Sequence, residues 1–158
     1  MRRTDKAFSD RDSLSKVLKT TEYMSLAMVK DGEPYLVSLS HGYDETRNCL
    51  YFHSAEQGKK LEFLEANPNV WGQVLIDHGY AEGECSHRFI SIMFKGKVRF
   101  LTSVEEKKNA FRVMINQLEP NPESIMDTML SSEGLPSTVV GEISIEYMTG
   151  KKTPELTI

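Results

Sequence analysis

The chain has 158 residues, 39% hydrophobic and 27% charged, with a net charge of −4. That length suits one domain with a real core and is short for two, so a single domain over 1–158 is expected. The acidic balance argues against a general nucleic-acid binder, which needs excess Lys and Arg, and no apolar run approaches the roughly 20 residues that span a bilayer.

The two cysteines, Cys49 and Cys85, form no CxxC pair. They are expected to be buried, unpaired thiols in a reducing compartment. The N-terminal segment MRRTDKAFSDRD is charged and lacks the apolar core of a signal peptide. The expectation is a cytoplasmic protein with neither a membrane nor a nucleic-acid partner.

Residues 1–9 read as a polar arm. Asp10 or Ser9 can cap a short helix whose apolar positions are Leu14, Val17 and Leu18. The period then changes. Met24–Val29 reads as a strand, Lys30-Asp31-Gly32-Glu33 as a hairpin turn, and Pro34–His41 as a second strand. A reversal at Asp44–Arg47 returns the chain as Cys49–His53, which puts His53 opposite a residue near Ser38. A brief helix is expected from Glu56 to Ala66, a strand over Val70–Asp77, and a loop over His78–Ser86.

The longest strand, Arg88 to Leu101, alternates Phe94, Val98 and Phe100 with Lys95, Lys97 and Arg99. Ser103-x-x-Glu106 is a capping box opening a helix to Leu118. A helix over Glu123–Leu130 and a strand over Thr138–Met148 complete the chain. Some six antiparallel strands with inserted helices close most economically as a small barrel with helices at its ends.

Strand gives way to helix in the segment Tyr51–Lys60, which carries the most chemical information. Ser54-x-x-Gln57 fits a capping box, and on that reading Ser54 only satisfies a helix amide. Lys59 and Lys60 fit less well, because positive charge in a first helical turn opposes the macrodipole by roughly 0.3–1 kcal/mol each. An anion docked there would remove the conflict; free amides, a glycine, hydroxyls and ammonium groups make a phosphate site. The other reading is two solvated lysines, with Glu56 screening Lys60 at i,i+4.

Several segments in order resemble the pyridoxamine 5'-phosphate oxidase-related flavoproteins, and within them the nitroimidazole-resistance (Nim-type) branch. They are Pro34–Leu39, Leu50–Ala55 with Gly58-Lys59-Lys60-Leu61, Asn67-Pro68-Asn69-Val70, Arg88–Ile92 with Phe94-Lys95-Gly96, and Met148-Thr149-Gly150-Lys151. The resemblance runs from about Arg2 to Pro154. Ser38 stands where the branch has proline, and Met148 where it has an aromatic residue.

This resemblance implies a mainly β, α+β fold, a six-stranded antiparallel split barrel with flanking helices. It implies a homodimer with FMN in the cleft between subunits. His53, Ser54, Ala55, Lys59 and Lys60 would surround the phosphate. Val37, Ser38 and Leu39 would meet the flavin's pyrimidine edge through backbone groups, with Ser91 and Ile92 also along the cofactor. His53 is the one histidine with a candidate catalytic role, and binding is the stronger reading for it.

Other features read more plainly. His78, Cys85 and His87 supply three potential metal ligands at no standard spacing and are better read as a polar loop. The Lys95/Lys97/Arg99 stripe ranks as a solvated face first, a subunit contact second and a ligand site third. Trp71 is more often a core anchor than a flavin stack, although a dimer cleft would suit it, and His41 reads as structural. The expected function is an FMN-dependent oxidoreductase acting on a small-molecule substrate. The alternative is a non-catalytic flavin or haem carrier or sensor.

Overall fold

A computed structural model of the protein describes residues 4–158. A 3₁₀ turn at Thr4–Lys6 leads to β1 (Ala7–Phe8), α1 (Arg11–Thr20), β2 (Tyr23–Lys30), β3 (Glu33–Ser40), β4 (Gly42–Asp44) and β5 (Cys49–Ser54). Then come α2 (Lys59–Ala66), β6 (Asn69–Ala81), β7 (Ser86–Phe100), α3 (Val104–Leu118), α4 (Glu123–Leu130) and β8 (Val139–Lys152). The strands form one antiparallel sheet in the order β3-β2-β6-β7-β8-β5-β4, with β1 beside β8. This is the expected mainly β, α+β split barrel, and the short strands β1 and β4 add to the six foreseen.

Local chemistry explains most of the elements. The Asp10 carboxylate accepts from the Ser13 amide at 2.9 Å and starts α1. Asp31 and Gly32 both have positive φ, 53° and 81°, the turn geometry that Asp-Gly favours between two strands. Met24, Leu26 and Met28 alternate inward along β2 and are fully buried. Strand β5 is buried on both faces from Cys49 to Phe52. Leu50 and Phe52 join the barrel core, while Cys49 and Tyr51 join a second core beneath α3.

Three expectations need correction. The polar arm is not free: its first three residues lie outside the described residues, but Phe8 packs on Gly150, where a Cβ would come within 2.2 Å of the ring. The stretch from His78 is mostly strand. A bulge between Asp77 and Tyr80, at Gly79 with φ 87°, absorbs its irregular sequence and leaves only 82–85 as the turn. Cys85 sits in that turn and is exposed, so only Cys49 is a buried thiol.

One buried junction decides where β3 stops. His41 is fully buried, and its Nε2 lies 3.1 Å from the Leu18 carbonyl oxygen, so Nε2 carries the proton and donates. The Gln117 side-chain amide donates to Leu18 and Thr21 carbonyls at 3.0 and 2.8 Å and accepts from the Tyr43 amide at 2.8 Å. These bonds tie the end of α1, the β3–β4 bend and α3 together. Gly42 completes the joint, since a Cβ there would lie 2.7 Å from the Met114 backbone.

Burial pushes the His41 imidazole down to about 4. The unfolded chain therefore takes up this proton first. Stability is full above pH ~6.5, falls as pH drops through the interval to about 4, and loses about 3 kcal/mol in all from this group. His41→Gln should flatten that part of the profile. Urea unfolding at pH 7 and pH 4.5 checks this: the variant should lose about 2–3 kcal/mol less than the wild type between the two, and equal losses would contradict it.

Candidate functional site

Strand β3 is a sheet edge, paired only with β2. Its two-residue turn makes Lys30–Glu33 the first hydrogen-bonded pair, and the His41 amide bonded to the Glu22 carbonyl at 3.2 Å keeps the same phase at the far end. In that phase Val37 and Leu39 bond to β2, while the backbone groups of Leu36, Ser38 and Ser40 point off the edge. Pro34 stands at an outward position, where its missing N–H costs nothing. Of the three residues expected to offer backbone groups, Ser38 does so, and Val37 and Leu39 instead pack their side chains on the barrel core.

Across the gap, β5 is covered by β4 only as far as the Gly42–Tyr51 pair. On its other side β5 pairs with β8, His53 opposite Val140. The Asn48 carbonyl accepts from the Ile145 amide at 3.2 Å, which fixes the alternation and turns the His53 backbone toward the open side. The expected pairing of His53 with a residue near Ser38 does not form. Extending the β4–β5 register puts Ser40 opposite His53, two places from the estimate, and the ladder ends before reaching it.

Helix α2 opens beside this gap, three residues later than expected. Its N-cap is Gly58, at φ 146° and ψ 160°, with no side-chain cap, so the Ser54-x-x-Gln57 box does not form. Ser54 ends β5 instead. Lys59 and Lys60 are therefore the first two helical residues, where amides have no carbonyl within the helix to bond.

The two lysines diverge. Lys59 is exposed and pairs with Glu33 at 2.9 Å, lying over the rings of Tyr35 and Phe63. Lys60 is half-buried, with Nζ 6.0 Å from the Phe52 ring centroid and no carboxylate within ion-pair distance among the described residues. Desolvation holds its pKa below the ordinary lysine value.

His53 and Ser54 lie on opposite faces of β5 by strand alternation. The His53 ring stacks on Phe111 of α3, centroids 5.8 Å apart at 28°. Desolvation first, and the Lys60 ammonium second, lower its pKa, so the imidazole is neutral at pH 7. Ala55 follows Ser54 on the exposed bend before α2. His53, Ser54 and Ala55 thus follow one another at the end of β5, with the Lys60 ammonium near enough to His53 to act on it, while Lys59 is engaged by Glu33.

Ser91 and Ile92 lie elsewhere. Ile92 is fully buried in the barrel core and leaves no side chain to offer. Ser91 points to the outer side of the sheet but is buried, its hydroxyl 3.5 Å from the Lys151 carbonyl. Through the pairs joining β3, β2, β6 and β7 it is three strands from β3, about 14 Å away. Trp71 is on the same outer face, 45% exposed and edge-on to Tyr147, so it is not a core anchor.

The basic stripe is partly neutralised within the chain. Arg99 makes a two-pronged contact with buried Glu142 at 2.8 and 2.9 Å and reaches Glu106 at 2.9 Å. Lys95 pairs with Glu146 at 3.1 Å. His87 lies 3.3 Å from Asp77 and edge-on to Tyr80. Sequence reading missed Ser40, Glu33 and Phe111. Ser40 shares the alternation of Ser38 and was legible; the partners Glu33 and Phe111 are long-range.

Comparison with known proteins agrees with this architecture. The family model for pyridoxamine 5'-phosphate oxidase matches residues 10–152. A FAD-binding protein from Mesorhizobium loti is 26% identical, over 93% of this chain and 96% of that one, with a TM-score of 0.66. A candidate 5-nitroimidazole antibiotic resistance protein from Bacteroides thetaiotaomicron shares the fold at 24% identity, over 92% and 85%, with a TM-score of 0.75. A FAD- and haem-binding protein from Mycobacterium smegmatis does so at 18% identity, over 97% and 76%, with a TM-score of 0.79. A search of curated proteins finds no match. With the model spanning nearly the whole chain, the protein belongs to the pyridoxamine 5'-phosphate oxidase family.

Proposed function

We propose that this chain binds FMN at the mouth between β3 and β5 and acts as a flavin-dependent oxidoreductase on a small molecule. The observation that carries the reading is Lys60: a half-buried ammonium without a carboxylate partner among the described residues, at a helix N-terminus that no side chain caps. A dianionic phosphate fits that donor set, because it would take up unpaired amides and an ammonium held in partial desolvation. Gly58, with nothing within 4 Å of a notional Cβ, leaves room for close approach.

When bound, the flavin supplies the electron-transfer chemistry. The chain's own residues bind and orient it. Lys60 and the first α2 amides would hold the phosphate, helped by the Ser54 hydroxyl and the Ala55 backbone. The outward backbone groups of Ser38 would meet the ring's polar edge. A neutral His53 is better suited to a hydrogen bond than to giving up a proton, so binding is the role we assign it.

We further propose a homodimer formed through the outer sheet face. Leu36, Trp71, Leu75, Met93 and Tyr147 are all exposed there and adjoin through the strand register. Ser91 points to this side of the sheet but is buried within the single chain, and it is not part of the exposed patch.

A second reading, a non-catalytic flavin or haem carrier, is favoured by His53, because a neutral imidazole is the form that ligates iron. The two differ in turnover. With a nicotinamide donor and a nitroaromatic acceptor an oxidoreductase cycles, while a carrier is reduced once and stops.

The purified protein should be yellow and bind FMN, and a colourless chain with no FMN uptake would remove the proposal. Lys60→Ala should weaken FMN by on the order of tenfold to a hundredfold in a fluorescence titration, with Lys59→Ala costing less because Glu33 already engages Lys59. Equal losses, or none, would count against the site. Trp71→Lys with Leu75→Lys should give a monomer in sedimentation and lower FMN affinity, and an unchanged dimer would show that another face pairs.

A further inference from the structure

An apolar cleft lies on the α3 side of β5. Its volume is about 130 Å³, between α3 and α4, with Phe111, Met114, Ile115 and Leu118 on one wall and Ile125 and Met129 on the other. Two polar residues line it, His53 and Glu119. No residue of α4 is fully buried, although Ile125, Met126 and Leu130 rest on the core beneath α3. The helix therefore covers an apolar space that its side chains leave unfilled.

We propose that this cavity binds an uncharged, single-ring aromatic molecule carrying one hydrogen-bonding substituent. Size sets the first limit. An apolar cavity of about 150 Å³ accommodates benzene, so a space of about 130 Å³ suits a single ring. Shape sets the second. The wall already stacks one ring on another, His53 on Phe111 at 28°, and methionine side chains adapt around a flat guest.

Polarity sets the third limit. The walls beyond His53 and Glu119 are apolar and give an anion no compensation. His53 can exchange one hydrogen bond with a hydroxyl or similar group through whichever ring nitrogen faces the guest. His53 is thus shared between this cavity and the mouth beside Lys60. The inference does not depend on a bound flavin; if one is present, a guest here would lie against the same histidine.

The test is a titration of the full chain, labelled with ¹³C at its methionine methyls, with 4-fluorophenol. The Met114 and Met129 methyls should shift saturably, with a Kd on the order of 1 mM or tighter. Met24 and Met28, in the barrel core, should not move. Cyclohexanecarboxylate should leave all four unchanged. Met129→Trp fills the rim from an exposed position and should weaken 4-fluorophenol about tenfold, with unshifted Met24 and Met28 signals reporting an intact fold. Ile125→Trp serves the same purpose if that variant fails to fold. No saturable shift, equal movement of the barrel methionines, or undiminished binding in a folded rim variant would overturn the proposal. None of these outcomes bears on flavin uptake, which the visible spectrum reads separately.

Discussion

Between Ser40 and Gly42 the chain leaves the edge of one half of the sheet and joins the edge of the other, and buried His41 is the pivot. Its hydrogen bond to Leu18, with the Gln117 amide beside it, fixes the bend and stops the β4–β5 ladder at Tyr51. Had the second strand run straight on, Ser40 would pair with His53 and the barrel would close at that point. The bend leaves outward backbone groups on both sides of a gap, an arrangement that elsewhere invites pairing with another chain. Here α2 opens at the same place with its own free amides. An unpaired strand edge and an uncapped helix entrance stand side by side there.

The two cores give that place its character. Strand β5 divides them, sending Leu50 and Phe52 into the barrel and Cys49 and Tyr51 under α3. At its end the alternation continues, so Ser54 faces the barrel side and His53 faces α3. A histidine in that position feels desolvation and a nearby ammonium together, and stays neutral. Arg99 and Arg47 hold buried Glu142 on the neighbouring strand β8, with Arg47 at 3.1 Å. That part of the framework pairs its charges internally. Lys60 differs in this respect.

Sequence pattern carried the fold well. Alternation in Met24–Met28 and in Phe94–Val98, the Asp-Gly turn and the Asp10 cap are local signals, and each found its element. The start of α2 misled because Ser54 and Gln57 have the spacing of a capping box, whereas Gly58 breaks the helix at a φ that other residues rarely adopt. Trp71 misled for another reason: alternation separates two faces without saying which one is covered. Lys59 and Lys60 read as a pair along the chain, but successive helical residues point about 100° apart, and a carboxylate 26 positions away claims the first. Long-range partners of this kind, Glu33 for Lys59 and Phe111 for His53, have no local signature. Family resemblance suggested the site residues; in the structure His53, Ser54 and Ala55 follow one another at the end of β5, whereas Ser91 and Ile92 are buried on β7.

The most direct test is a crystal structure of the protein grown with FMN. The account predicts the phosphate within hydrogen-bonding distance of Lys60 Nζ and the first amides of α2, with the flavin ring directed toward β3. A phosphate bound away from that helix, with Lys60 in solvent, would contradict it.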